Sequence, residues 1–192
     1  MSVRAGMNNL IARLRALAAV GTSDYSIGNV SYWSSRQLQD RLDGARTDMP
    51  RVPLTAEPEY SGGSVLYHDY CAPLGDLEEA SSGSVYWSVQ DSNGNEADTD
   101  DYTVDYIAGR IRFASDQGGT AYYLRARSYH LKRAAAGIWR EKAGQAAAYY
   151  SFSADGQSFS RSDWFDHCMK MANEMDGSAG MQFSRISRVD LT

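Results

Sequence analysis

Residues 131–150 read LKRAAAGIWREKAGQAAAYY and residues 162–175 read SDWFDHCMKMANEM. Both stretches predict α-helices. The first is rich in alanine, which has the best helix propensity and lets two helices approach closely. In the second, Trp164, Cys168, Met171, Ala172 and Met175 recur at the spacing that lines one helical face. Ser160 and Asp163 resemble a capping box for it. The connection from Ser151 to Ser160 joins the two into an expected helical hairpin. Gly137 and Gly144 sit inside the first helix and cost about 1 kcal/mol each against alanine. Close approach by another helix would explain them. Neither helix carries groups arranged for catalysis, so the hairpin reads as a surface for packing against other chains.

Upstream the pattern changes. From Val52 to about Arg127, aromatic and β-branched residues alternate with Gly, Ser, Asn and Asp clusters. Candidate strands are 64–70, 84–90, 101–106, 110–114 and 120–127. Tyr102, Val104 and Tyr106 alternate with polar residues, as do Ile111 and Phe113 after a turn at 107–109, so one face of that hairpin is expected to be buried. Upstream again, Met7, Leu10, Ile11, Leu14, Leu17 and Ala18 keep helical spacing, with Gly21 as a natural stop. Ser34 and Gln37 form a capping-box start for a second, short helix with Leu38, Leu42 and Ala45 on its thin apolar side. Pro50 and Pro53 then end the helical region.

The resulting expectation is an α+β fold: a helical bundle with an inserted antiparallel β-rich module and an extended C-terminal tail. Residues 1–50 supply the N-terminal helices of the bundle, 51–128 the inserted β module, 129–176 the C-terminal helical hairpin and 177–192 the extended arm. The chain has 192 residues, room for one domain with an insertion. Its net charge of −5 argues against tight contact with nucleic-acid phosphates, whose affinity comes mostly from lysine and arginine. The first twenty residues interleave arginines with apolar residues, unlike a signal peptide, and no apolar run approaches the ~20 residues that span a bilayer. A soluble product with no membrane contact is expected. Cys71 and Cys168 lie in different predicted elements and read as buried free thiols rather than a disulfide.

Candidate chemistry is thin. Asp91, Asn93 and Asn95 start like a calcium loop, but glycine falls at the fourth position and Tyr102 stands where a bidentate glutamate belongs. A hairpin turn is the better reading. Asp98, Asp100 and Asp101 would hold a divalent ion only weakly and read as a solvated acidic loop. His68, His130 and His167 lack any nucleophile context, and His167 and Cys168, adjacent on a helix, point in different directions. No enzyme activity, no catalytic residue, no metal and no cofactor is expected. Tyr86, Trp87, Tyr102, Tyr106, Tyr122 and Tyr123 leave open a second class of function, a carbohydrate-binding module using aromatic strands as a sugar platform. In the tail, Phe183, Ile186, Val189 and Leu191 alternate with Arg185 and Arg188, as in an arm that orders on meeting a partner.

The hairpin YTVDYIAGRIRF, the following strand AYYLRARSY, the leading LIARLRALAAVGTSDYSIGNVSYWSSRQLQDRLD and the closing AAAGIWREKAGQAAAYYSFSADGQSFSRSDWFDHCMKMANEM together resemble the head–tail adaptor, or head-completion, proteins of tailed bacteriophages. The resemblance covers most of the chain and consists of patterns rather than signatures. It implies a virion structural protein of the neck, made in the host cytoplasm, that forms a homo-oligomeric ring, usually of twelve copies, under the portal protein. Genomic DNA would pass through the channel without specific binding, and a neck or tail-completion protein would dock below. It also implies a portal-binding arm at Gln182, Phe183, Ser184, Arg185, Ile186, Ser187, Arg188, Val189, Asp190 and Leu191. Ring contacts would fall on the hairpin, at Ile138, Trp139, Tyr149, Trp164 and Phe165. A lower neck stopper or tail-completion protein is the nearest alternative.

Overall fold

The computed structural model describes residues 3–21, 25–27, 30–81, 85–146, 152–154, 157–159 and 161–179. The elements run in chain order as a 3-10 turn Ala5–Met7, α1 Asn8–Ala18, β1 Tyr25–Ile27, β2 Val30–Tyr32, α2 Ser35–Asp43, β3 Arg46–Pro53, β4 Thr55–Ser61, β5 Ser64–Cys71 and β6 Ser88–Asp91. There follow a 3-10 turn Thr99–Asp101, β7 Tyr102–Asp105, β8 Arg110–Phe113, β9 Tyr122–Tyr129, α3 Leu131–Ala146, β10 Phe152–Ala154, β11 Gln157–Phe159 and α4 Arg161–Ala179. The fold is α+β, with helices and antiparallel sheets.

The three-stranded sheet has the order β3-β9-β6 and the four-stranded sheet the order β4-β5-β8-β7. Their facing sides share one core: Met49, Val89, Leu124 and Ala126 from the first meet Tyr70, Tyr102, Ile111 and Phe113 from the second. The alternation in 102–113 produces this directly, since Tyr102 pairs with Phe113 and Val104 with Ile111 on the inner face while Thr103 and Arg112 face out. The outer face carries a ladder of charge. Arg110 pairs with Glu57 (3.1 Å), and Arg112 pairs with Asp69 (2.8 Å) and Glu59 (3.8 Å).

Two strands escape the sequence pattern because they contain proline. β3 includes Pro50 and Pro53, and β4 includes Pro58. Both are edge strands, and the register against the neighbour shifts between Met49 and Val52 and between Glu57 and Glu59, just where Pro50 and Pro58 interrupt the ladder. A residue without an N–H is tolerated at such edges and bulges. Thus Pro50 does not end a helical region; α2 has already ended at Asp43, and β3 runs across position 50. The strand expected over 84–90 is shorter than foreseen, for Val85 and Tyr86 lie in a turn and β6 begins at Ser88.

The helices form their own core. Leu10, Ile11 and Leu14 of α1, Leu38 and Leu42 of α2, and Leu131, Ala134, Ala135 and Ile138 of α3 are buried together with Met7, Trp33 and Tyr129. α2 starts at the expected capping box: the Gln37 N–H donates to Ser34 Oγ (3.3 Å) and the Ser34 N–H to Gln37 Oε1 (2.7 Å). α1 ends earlier than Gly21. Ala19 takes the left-handed conformation (φ 48°), and Val20 N–H donates to Arg15 O (3.0 Å), a Schellman ending with alanine where glycine is usual. A third cluster joins Trp139 and Ala143 of α3 to Cys168 and Ala172 of α4. α4 does not break at Asp176 but continues across it to Ala179. Among the described residues no helix is long and apolar enough to cross a membrane.

Candidate functional site

The helical layer is tied to the β module by one buried cluster of charge. Glu78 is wholly buried and accepts from Arg4 Nε (2.9 Å) and from the Tyr129 hydroxyl (2.5 Å). The Arg4 guanidinium also grips Asp43 at the end of α2 through two nitrogens (2.8 and 2.6 Å) and donates to Tyr129 Oη (2.9 Å). The Arg4 N–H donates to the buried Gln39 side chain (2.8 Å). Burial alone would raise Asp43, but the hydrogen bond and charge of Arg4, with Arg46, more than offset it and hold the carboxyl below its ordinary range. Burial and the neighbouring Glu78 push Tyr129 well up. Beside this cluster Gly6 lies against the Glu79 carbonyl so closely that a Cβ would collide with it, and Arg13 pairs with Asp76. The cluster joins segments up to 125 residues apart, and no local motif announces it.

α3 is the pivot of the helical layer. One side packs on α1 and α2; the other carries Trp139 and Ala143 against α4. Lys142 is buried with its stem along this seam. Its Nζ donates to the Ala18 and Ala19 carbonyls (3.0 and 2.9 Å) at the open end of α1 and sits 4.5 Å from the centre of the Trp139 ring. Those last carbonyls carry the negative end of the helix dipole, so a buried ammonium is well matched there. The Trp139 indole N–H donates to Leu17 O (3.2 Å). Ion pairs Arg41–Glu141 and Arg140–Asp176 fasten α2 and α4 to the outer flanks of α3.

These contacts sort the residues expected to meet other subunits. Ile138 and Trp139 are buried by this chain's own helices, so both serve the interior and offer no surface to a neighbour. The amphipathic pattern marks an apolar face but not which molecule covers it. Trp164 and Phe165 remain 39% and 38% exposed in the first turn of α4. Trp164 stacks on His167 (5.5 Å between rings), whose edge meets Trp139 (5.8 Å). Tyr149 and the arm 182–191 lie outside the described residues, as does Ser160. Gly137 and Gly144 have nothing within 4 Å of a Cβ position among the described residues, so no described helix packs against them there. The close approach expected at these glycines is not made by any described element of this chain.

The groups considered for chemistry are spoken for or dispersed. Asp91 accepts from the N–H groups of Asn93 (2.8 Å) and Asn95 (2.9 Å), which closes a turn rather than a cation loop. Asp98 accepts from the Asp100 N–H (3.1 Å) and caps the short 3-10 turn. Among the described residues no group of three His, Cys, Asp or Glu side chains is arranged to hold a metal. Cys168 is buried and Cys71 half-buried; burial raises both thiols and leaves them protonated. Of the aromatic residues considered for a sugar platform, Tyr86 and Tyr123 are half-buried under Arg127 and Arg51, and the others turn inward. Trp87 is buried, packed on Tyr106 and donating to the Tyr102 hydroxyl (3.4 Å), while Tyr102, Phe113 and Tyr122 line the core between the sheets.

Comparison with protein-family models, with curated proteins and with solved structures finds no match to this chain.

Proposed function

We propose that this chain is a virion structural protein, a head–tail adaptor that forms a ring beneath the portal and joins a phage head to its neck or tail around the DNA channel. In this reading α1 to α4 make one bundle, the β module is an insertion between α2 and α3, and residues 182–191 are an arm that reaches the portal. The observation that carries it is the order and division of cores: helices, a β module with a separate core, then a helical hairpin whose last helix is covered on one side. The exposed Trp164 and Phe165, of the residue class that anchors protein interfaces, extend that hairpin's apolar face beyond its own partner. The net charge of −5 suits a channel wall over which DNA slides. Aromatic residues that fill the core between the sheets weigh against the carbohydrate-binding alternative.

The test is capture of the full chain by purified portal protein and, separately, by tail-tube protein. Binding to portal that is lost on removal of residues 181–192 supports the adaptor role. Binding to the tail tube alone assigns the chain to the lower neck instead, and binding to neither rejects the reading.

A further inference from the structure

The β4–β5 hairpin outruns the sheet to which it belongs. β4 pairs with β5 from Thr55↔Cys71 out to Ser61↔Ser64, whereas β8 pairs with β5 only at Asp69, Tyr70 and Cys71. Past that point Tyr67 is steadied by the next loop, its N–H donating to Asp116 Oδ1 (2.7 Å) and its carbonyl accepting from Gln117 N (3.1 Å). The tip turns through Gly62 and Gly63, both with positive φ (58° and 83°), as a tight type I′ turn requires. Just behind it Tyr60 and Val65 face each other across the strands, 80% and 43% exposed. An apolar pair held in water on a projecting hairpin is surface that a partner would bury.

The two ends of the subunit differ in charge. On the tip side of this sheet lie Asp116, beside Tyr67, and Asp100 and Asp101 at the start of β7, because Tyr102 opposes Phe113 and the Asp101 carbonyl accepts from Ala114 N (2.9 Å). Neither 89–109 nor 113–124 contains a lysine or arginine, and between them Arg110 and Arg112 are paired with Glu57, Glu59 and Asp69. At its other end β5 leaves Cys71 for the segment bound to the helices through Asp76, Glu78 and Glu79. There α1, α2 and α3 carry eight lysines and arginines against three carboxylates, while α4, packed on α3, carries Arg161 and Lys170 against Asp163, Asp166, Glu174 and Asp176. In the first turn of α3, Lys132 and Arg133 are exposed and make no ion pair among the described residues. β9 alone, eight residues and roughly 26 Å at strand rise, runs from Tyr122 beside Asp91 to the start of α3. Asp100 and Asp101 are therefore held apart from Lys132 and Arg133 within one chain.

We propose that the β4–β5 hairpin docks on a second copy of this chain, burying Tyr60 and Val65 beside the first turn of its α3 and setting Asp100 and Asp101 against Lys132 and Arg133. The contact is made by side chains, since the edge strands of the two larger sheets resist strand addition: β3 and β4 carry proline bulges, and β6 and β7 have four residues each. Contact between two different surfaces propagates head to tail and closes as a ring when the rotation permits. The inference rests on the ring reading above and supplies a contact for it.

Sedimentation velocity and native mass spectrometry of the full chain, over a range of concentration and salt, test it. The wild type should self-associate, more tightly at low salt. Tyr60→Ser with Val65→Ser should weaken association by about tenfold or more without lowering the thermal midpoint. Lys132→Glu with Arg133→Glu should weaken it too, and adding Asp100→Lys with Asp101→Lys should restore it. A wild type that stays monomeric throughout, or association indifferent to both sets of changes, overturns the proposal. So does loss of portal binding by the tip variant with self-association intact, which would give the hairpin another partner. Portal capture of a wild type that never self-associates would leave the adaptor role standing and remove only this contact.

Discussion

Glu78 is the residue on which the junction between helices and β module turns. It is a buried carboxylate whose charge is matched by Arg4 and whose second oxygen is held by Tyr129. Removing it strands both donors, which costs more than the pair contributes net. Glu78→Ala should lower the free energy of unfolding in urea by about 3 kcal/mol; a loss under about 0.5 kcal/mol, the scatter of ordinary surface changes, would contradict this role. Asp43 gives the same junction a pH signature. Its folded carboxyl lies below the unfolded value of about 3.9, so its contribution is complete above that value and is lost as pH falls through the folded pKa. Urea midpoints should hold steady near neutral pH and fall below about pH 4. Arg4→Gln should flatten that decline, and an unchanged acid slope in the variant would disprove the link. None of this was legible in the sequence. Arg4, Asp43, Glu78 and Tyr129 come together only through tertiary structure, each unremarked in its own neighbourhood.

At the level of elements, local rules worked where local forces decide. The Ser34–Gln37 cap and the alternation of 102–113 stand as read, because a cap and a strand face are set by residues a few positions apart. β3 and β4 escaped because proline speaks against a strand unless the strand is known to be an edge with a bulge, and edges are assigned by the whole sheet. The end of α1 escaped because Ala19 accepts a conformation that glycine takes at less cost. Ala19→Gly should therefore raise stability by about 0.5–1 kcal/mol, read from the thermal or urea midpoint; a destabilised variant would contradict the left-handed ending. Gly137 and Gly144 make a sharper case. Their Cβ positions are open, so alanine at either should stabilise the isolated subunit by up to about 1 kcal/mol through helix propensity. If the glycines admit a neighbouring helix, the same variants will assemble poorly despite the stability gain. Equal assembly with higher stability would show that the glycines serve no contact.

For the whole molecule, the division into a helical layer and a β module with separate cores determines what is free to meet partners. Ile138 and Trp139 are spent on the interior, whereas Trp164 and Phe165 on the hairpin and Tyr60 and Val65 at the distal end of the β module stay exposed, and the proposed contacts fall there. Sequence periodicity finds apolar faces, but only the packed chain says which of them are already covered. The adaptor role itself is tested most directly by electron microscopy of the assembled particle with this chain labelled. The account predicts a ring of label immediately beneath the portal, around the DNA channel. Label elsewhere in the particle, or a complete head-to-tail junction in particles lacking the chain, would contradict it.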